Sequence, residues 1–129
     1  MVVDSSALLA IMFFEPEAQH FTKLVQASRI ALVSVANFLE ASILIESRRG
    51  IDKRNLFDAF VHESGIRLQA VTRGQVLIAR DAYRRFGRGN HPAGLNFGDC
   101  FAYALAKERD LPLLFKGEDF PQTDLRPAL

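Results

Sequence analysis

The sequence predicts an α/β domain in which a mainly parallel sheet is covered by helices on both faces. Short apolar runs typical of buried strands alternate with longer amphipathic segments typical of helices, and this alternation indicates βαβ units. The chain has 129 residues, of which 49% are hydrophobic. That size favours one compact domain, residues 1–129, with a core that is stable without disulfides.

The first half of the chain contains two predicted strands and four helical segments. The strands are the short apolar runs at 1–3 and 30–33. Helical patterns occupy 5–13, 17–27, 34–49 and 52–64. Pro16 separates the first two helices because proline cannot continue one, and Gly50 closes the third.

The second half repeats the alternation with a glycine-rich loop inserted. A strand is predicted at 67–71, a helix at 72–86, a loop at 87–98, a helix at 98–109 and a strand at 113–115. Thr72 is the expected N-cap of the first of these helices. The pattern does not specify the order of the strands in the sheet.

Charge and composition exclude several protein classes. The net charge of +1 excludes a strongly basic nucleic-acid coat protein, although a local basic patch can still hold phosphates. The single cysteine, Cys100, cannot form an internal disulfide and is interpreted as a packing residue. The longest apolar run, 7–14, is too short for a membrane span, and no signal peptide is visible. We therefore expect a cytoplasmic domain.

Four acidic residues occupy unusual positions. Asp4 and Asp119 follow the first and last predicted strands, at the carboxyl edge where open α/β sheets bind ligands. Glu40 lies on the predicted core-facing stripe of its helix, and Asp99 lies in the first turn of another helix. Each alone has a structural explanation, such as a cap or an ion pair, but together these positions can converge.

Convergence of four acids requires compensation. Two carboxylates about 4 Å apart repel each other by about 4 kcal/mol at an effective dielectric constant of 20, so the cluster needs protons or a divalent cation. Oxygen ligands suit Mg²⁺ or Mn²⁺ rather than Zn²⁺. Such a cation activates water and stabilises charge on phosphate oxygens, which predicts phosphodiester hydrolysis.

The acids stand in segments that resemble PIN domains, and the VapC toxin ribonucleases of type II toxin–antitoxin pairs in particular. The matching segments are VVDSSAL at 2–8, the helical Glu40, NFGDC at 96–100 and LLFKGEDF at 113–120. The resemblance implies a three-layer α/β/α fold and Mg²⁺- or Mn²⁺-dependent cleavage of RNA, with tRNA or another translation-related RNA as the expected substrate. It also implies a VapB-type antitoxin and a homodimer that can join a higher hetero-oligomer.

The resemblance also implies roles for individual residues. By position, Asp4 and Asp99 are inner-sphere metal ligands, Glu40 is the third acid of the metal site and Asp119 is the fourth catalytic acid. Ser6 matches the Ser/Thr position that orients the first Asp. Many family members have Asn in the turn before the last acid, whereas this chain has KGE at 116–118, so Glu118 remains an alternative to Asp119.

Basic residues near the glycine-rich loop are candidate RNA contacts. Arg84 and Arg85 lie at the end of a helix, and Arg88 and His91 lie in the loop that leads to Asp99. Cations near a metal site can hold the phosphate backbone. A solvated helix face is the alternative for the two helical arginines. Lys116, in the turn before the last acid, is the best single candidate for the scissile phosphate.

The segment 7–14 is apolar on every side of its predicted helix. Burial inside the domain is one explanation. A groove covered by an antitoxin helix or by a second copy of the chain is the other, because monomers rarely expose such patches. Met12, Phe13 and Phe14 are the interface candidates.

Two other functions remain as alternatives. A phosphoacceptor receiver domain has a similar size and class, but it needs an Asp at the end of a middle strand, and here those strands are followed by Ser34 and Thr72. A catalytically silent PIN-fold binding module would keep the fold and the partner surface. The presence of all four acids argues against a silent module.

Overall fold

The computed structural model describes all residues, Met1–Leu129, and contains a four-stranded parallel sheet. The strands are β1 (Val2–Val3), β2 (Leu32–Ser34), β3 (Arg67–Gln69) and β4 (Leu113–Leu114). The α-helices are α1 (Ser5–Met12), α2 (Ala18–Ala27), α3 (Val35–Glu63), α4 (Arg73–Phe86) and α5 (Phe97–Arg109). A short 3₁₀-helix, Phe120–Gln122, precedes the C-terminal segment.

The strand order β3-β2-β1-β4 places the first strand between the second and the last. Val2 is in register with Leu32 on one side and with Leu113 on the other. All pairs are parallel, so the carboxyl ends of the strands meet at one edge of the sheet. The residues that follow β1 and β4 are therefore neighbours, and the amide of Asp4 donates to the carbonyl of Leu114 at 2.9 Å.

Two apolar cores lie on opposite faces of the sheet. Val3 and Val33 belong to a core of 16 buried residues that includes parts of α1, α2 and α3. Their neighbours Val2 and Leu32 belong to a second core of 11 buried residues that includes parts of α4 and α5. This alternation follows from the period of two along a strand. The predicted three-layer α/β/α class is confirmed.

The long helix α3 consists of two helical pieces separated at Gly50. The backbone there has φ 86° and ψ 176°, a conformation that glycine adopts without the steric cost of a side chain. The predicted helix end at Gly50 is therefore correct. Neither α3 nor any other helix has the combination of length and hydrophobicity that crossing a membrane requires.

The predicted core-facing stripe around Glu40 is only partly correct. The buried residues of this part of α3 are Asn37, Ala41 and Ile45, whereas Ile43 is 56% exposed and Glu40 is half-buried. Apolar residues occur on both sides of this helix, so the sequence pattern does not identify the face that packs. Glu40 lies at the border of the core rather than inside it.

Candidate active site

Asp4 is the N-cap of α1 and is only 1% exposed. Its Oδ2 accepts a hydrogen bond from the amide of Ser6 at 3.0 Å, while its Oδ1 is buried without a hydrogen-bond partner. The pKa of Asp4 is raised to about 6, because burial and the nearby charge of Glu40 together outweigh the hydrogen bonds from Ser6 that lower it. The strand end thus holds a carboxylate that is costly to ionise.

Glu40 reaches the same place from α3. Its Oε1 accepts a hydrogen bond from the hydroxyl of Ser5 at 2.6 Å, which ties it to the residue beside Asp4. On its other side a Cβ at Gly98 would stand 2.8 Å from Oε1 of Glu40 and closer still to Oε2. The amide group of Asn37 donates to the carbonyl of Gly98 at 3.0 Å. The carboxylate of Glu40 therefore has its present position only because residue 98 has no side chain.

Asp99 lies in the first turn of α5 and forms a capping box with Asn96. Its amide donates to Oδ1 of Asn96 at 2.9 Å, and its Oδ2 accepts from the amide of Asn96 at 3.0 Å. The pKa of Asp99 is raised to about 7, mainly by burial and in addition by the negative charges of Asp4, Asp119 and Glu40. The Asp99 side chain therefore caps its helix and also belongs to the cluster of acids.

The turn after β4 supplies the remaining acids. Glu118 and Asp119 are both exposed and both line the same cleft as Asp4 and Asp99. Of the two, only the charge of Asp119 contributes to the raised pKa of Asp99. The turn is attached to α1 by the amide of Lys116, which donates to the hydroxyl of Ser6 at 3.0 Å.

The four predicted acids share one cleft of about 290 Å³ at the carboxyl edge of the sheet. No three acidic, histidine or cysteine side chains stand close enough together to form a complete metal cage. The donor set is nevertheless all oxygen, and Asp4 has a buried oxygen without a partner. Mg²⁺ is usually held by one or two carboxylates together with several waters. The residues present therefore fit a hydrated divalent cation.

Lys116 borders the cleft but is ion-paired on the outside of it. Its Nζ contacts the carboxylates of Glu15 and Glu17, the latter at 3.1 Å. The hydrogen bonds that Lys116 donates to these two carboxylates raise its pKa. Neither glutamate stands out in the sequence, because only the fold brings the α1–α2 connection against the β4 turn.

The other predicted RNA-binding residues lie outside the acid cleft. Arg84 and Arg85 pair with Asp81 at 2.9 and 3.6 Å on the surface of α4. Nδ1 of His91 accepts a hydrogen bond from the amide of Ala93 at 3.0 Å. Arg88 lies on the rim of a separate groove between α4 and α5. The structure therefore does not bring these residues together with the acids.

The three candidate interface residues have different environments. Met12 is buried in the core, Phe13 is half-buried and Phe14 is 81% exposed. The apolar lining of a groove of about 720 Å³ includes Met12 and Phe14 together with Leu56 and Phe60 of α3. Burial within the domain accounts for most of Met12, and Phe14 is the most exposed of the three candidates.

Three residues of the site were not assigned a role from the sequence. They are Ser5, Asn37 and Gly98, which hold or make space for Glu40 and α5. For Ser5 and Gly98, the only sequence signal is that each is adjacent to a predicted acid, Asp4 and Asp99 respectively. Asn37, which is buried, has no comparable signal.

Comparison with known proteins agrees with this geometry. A family model of the PIN domain matches residues 1–125. Ribonuclease VapC30 of Mycobacterium tuberculosis is 48% identical over 125 residues, covering 97% of this chain and 95% of the relative. Ribonuclease VapC of Mycolicibacterium smegmatis is also 48% identical, covering 97% of both chains.

A solved structure supports the fold independently. VapC20 of Mycobacterium tuberculosis, described as a sarcin-ricin loop cleaving toxin, superposes with a TM-score of 0.76 at 17% identity and covers 98% of both chains. At that identity the match concerns the fold alone. Together with the more similar sequences, it shows that the chain belongs to the VapC ribonucleases of the PIN-domain family.

Proposed function

We propose that the chain is a Mg²⁺- or Mn²⁺-dependent endoribonuclease and the toxin of a VapBC-type pair. One observation carries the proposal: Asp4 and Asp99 share a cleft in which burial and the charges of neighbouring acids raise both pKa values. The basic side chain that borders this cleft, Lys116, is paired with Glu15 and Glu17 instead. A divalent cation is the ligand that would relieve this concentration of negative charge.

The chain's own residues have separate roles in this proposal. Asp4 and Asp99 hold the cation, with Glu40 as the third acid. When bound, the cation lowers the pKa of water and stabilises charge on phosphate oxygens. Glu40, oriented by Ser5, accepts a proton from the attacking water, and Ser6 orients Asp4 through its amide.

The turn after β4 completes the proposed site. Asp119 is favoured over Glu118 as the fourth acid because its charge affects Asp99. Lys116 is proposed to contact substrate phosphate, in exchange for one of its two glutamate partners. Arg88 extends the phosphate contacts beyond the acid cleft.

The partners follow from the family and from the exposed apolar surface. A VapB-type antitoxin would cover Phe14 and the groove beside it, and the toxin would form a homodimer that assembles with the antitoxin into a larger complex. The proposed substrate is tRNA or another translation-related RNA in the cytoplasm. Membership of the PIN-domain family argues against the receiver-domain alternative.

The test is cleavage of total tRNA and of total cellular RNA by the purified chain, with Mn²⁺ or Mg²⁺ and with a chelator. We expect metal-dependent products with 5′-phosphate and 3′-hydroxyl ends, and no products from the Asp99→Asn variant. Cleavage that resists the chelator, or 2′,3′-cyclic phosphate ends, would contradict the chemistry. RNA binding without cleavage under all conditions would instead favour a silent binding module.

A further inference from the structure

Lys116 is the only cationic side chain that lines the acid cleft. Its backbone is fixed close to Asp4, since its amide donates to the hydroxyl of Ser6 at 3.0 Å and the amide of Ser6 donates to Oδ2 of Asp4 at 3.0 Å. A lysine in this place can turn its ammonium group towards a phosphate held at the cleft, because the aliphatic stem is flexible.

The side chain of Lys116 is directed to two glutamates instead. Its Nζ contacts the carboxylate of Glu15 and stands 3.1 Å from Oε2 of Glu17. Neither glutamate lines the acid cleft, and Glu15 lines the neighbouring groove that contains Phe14. The ion pairs therefore draw the ammonium group towards the outer rim of the cleft.

The backbone presents both glutamates in fixed positions. The amide of Glu15 donates to the carbonyl of Ala10 at 3.0 Å, and the carbonyl of Glu15 accepts from the amide of Ala18 at 2.9 Å. The carbonyl of Glu17 accepts from the amide of Phe21 at 2.9 Å, at the start of α2. Both carboxylates therefore start from an anchored backbone and remain close to Lys116.

These ion pairs are poorly suited to a purely structural role. The three side chains are between 35% and 38% exposed, and ion pairs with this exposure contribute little to the free energy of unfolding. The same pairs do neutralise the one cation that the cleft offers to an anionic ligand. Their main consequence is therefore expected in substrate binding.

A phosphate group that approaches the cleft has to compete for Lys116. The ammonium group has three N–H donors, and two carboxylates already contact it. The remaining charged residues of the lining are all acids and repel phosphate until a cation is bound; they are Asp4, Glu40, Asp99, Glu118 and Asp119.

We propose that Glu15 and Glu17 are positioning residues that hold Lys116 away from the substrate phosphate and thereby weaken RNA binding at the acid cleft. RNA has to displace at least one of the two carboxylates before Lys116 contacts a phosphate. The glutamates therefore raise KM and leave the chemical step unchanged. This inference rests on the proposed ribonuclease function and adds a built-in restraint on its activity.

The competing interpretation is that the two glutamates hold Lys116 in its working position. In that case their removal would let the ammonium group move freely, and RNA binding would become weaker. The two interpretations predict changes of opposite sign in KM, so a single kinetic comparison separates them.

The first experiment measures the kinetics of RNA cleavage with Mn²⁺ for the parent protein and for Glu15→Gln/Glu17→Gln. We expect KM to fall about fivefold and kcat to stay within about twofold, because the gain is in binding alone. Glu46→Gln/Asp110→Asn is the matched control, since it also removes two ion-paired acids, neither of which lines the cleft. Its KM should equal that of the parent protein.

The same substitutions in the Lys116→Gln background test whether the glutamates act through the lysine. Removing them there should change KM by less than about twofold, because the group that they restrain is absent. An unchanged or higher KM in Glu15→Gln/Glu17→Gln would overturn the proposal. So would an equal fall in KM in the control variant or in the Lys116→Gln background, since either result would mean a general effect of charge.

A second experiment does not depend on RNA cleavage. Inorganic tripolyphosphate is titrated into the metal-free protein while NMR follows the nitrogen signal of the Lys116 ammonium group, which is identified by its loss in Lys116→Gln. We expect the half-maximal shift at an about fivefold lower concentration in Glu15→Gln/Glu17→Gln than in the parent protein. That result supports the restraint even if no RNA is cleaved, an outcome that would contradict only the proposed function. Equal midpoints in the two proteins would overturn the inference.

Discussion

Two pairs of carboxylates lie side by side at the carboxyl edge of the sheet, and their surroundings have opposite effects on pKa. The inner cluster is Asp4 and Asp99, and the outer cluster is Glu15 and Glu17. In the inner cluster, burial raises the pKa values of both acids. In the outer cluster, hydrogen bonds that include one from Lys116 lower the pKa of Glu17. Glu15 and Glu17 in turn raise the pKa of Lys116. The outer acids are paired with a cationic side chain, Lys116, whereas the inner acids have no such partner.

The difference shows that proximity of acids alone does not define a metal site. The outer acids are near the surface, where a lysine and solvent compensate them. The inner acids are removed from water, and the lysine that borders their cleft is held on the outer side. Only the inner cluster therefore gains substantially from a proton or a divalent cation.

The largest expected effect comes from removing an inner carboxylate. Asp99→Asn should lower RNA cleavage on the order of a thousandfold, because a ligand of the cation is lost and the cation then stabilises the charged transition state less well. Cleavage rates at saturating Mn²⁺ provide the measurement. Asp81→Asn, which removes an exposed acid paired with Arg84, should leave the rate unchanged. Equal losses in both variants would argue against a special role for the inner cluster.

The next effect is on the pH dependence of folding without metal. The pKa of Asp4 is raised from 3.8 to about 6 in the folded protein, so the folded state binds this proton more tightly than the unfolded state. The contribution of Asp4 is favourable below pH 4 and is lost as the pH rises through 6, which lowers stability by about 3 kcal/mol at pH 8.

This prediction is checked by urea unfolding of the parent protein and of Asp4→Asn at pH 5 and pH 8 with a chelator. The variant should be the more stable protein at pH 8, and the difference should shrink at pH 5. Addition of Mn²⁺ should stabilise the parent protein more than the variant. A variant that is less stable than its parent at pH 8 would show that Asp4 is a structural cap.

A third effect concerns the space for Glu40. Gly98→Ala should lower cleavage at least tenfold, because the new Cβ would displace the Glu40 carboxylate, and should cost little stability, because that carboxylate is the end of a flexible side chain. Gly74→Ala is the control, since its Cβ would have only ordinary contacts at 3.8 Å or more. Urea unfolding and cleavage rates test both variants. Normal cleavage by Gly98→Ala would mean that the position of Glu40 is unimportant.

The smallest effect is expected at the outer cluster. Lys116→Gln should hardly change stability, because exposed ion pairs contribute little, and should weaken RNA binding about threefold through one lost phosphate contact. Lys107→Gln removes an exposed lysine paired with Asp124, away from the cleft, and should not change RNA binding. A large loss of stability in Lys116→Gln would remove the contrast between the two clusters.

Much of the acid cleft is predictable from the sequence, because most of its acids stand at the end of a strand or at the start of a helix. Asp4 and Asp119 follow strands, and Asp99 opens a helix, and these relations are readable over a few residues. The position of Glu40 was predicted less well, since apolar residues such as Leu39 and Ile43 are exposed on the same helix. Sequence periodicity reports which faces are apolar and does not report which face is covered.

The basic residues show the opposite limitation. Arg84 and Arg85 form a local positive run, but both pair with Asp81 on the same helix. Arg88, in contrast, belongs to a groove that also contains Phe97, and no local pattern connects these two residues. A charge count identifies a basic segment, whereas the partner of each charge depends on the packing.

The sequence by itself determined the local elements: the strands, the helix caps and the break at Gly50. These depend on backbone conformation and on hydrogen bonds within a few residues, so the chain specifies them without long-range contacts. Tertiary structure alone decided that Asp4, Glu40, Asp99 and Asp119 share a cleft and that Lys116 is paired outside it. The physical reason is that burial and charge–charge energies depend on distances between residues far apart in the chain, which only the packing of the parallel sheet and its helices establishes.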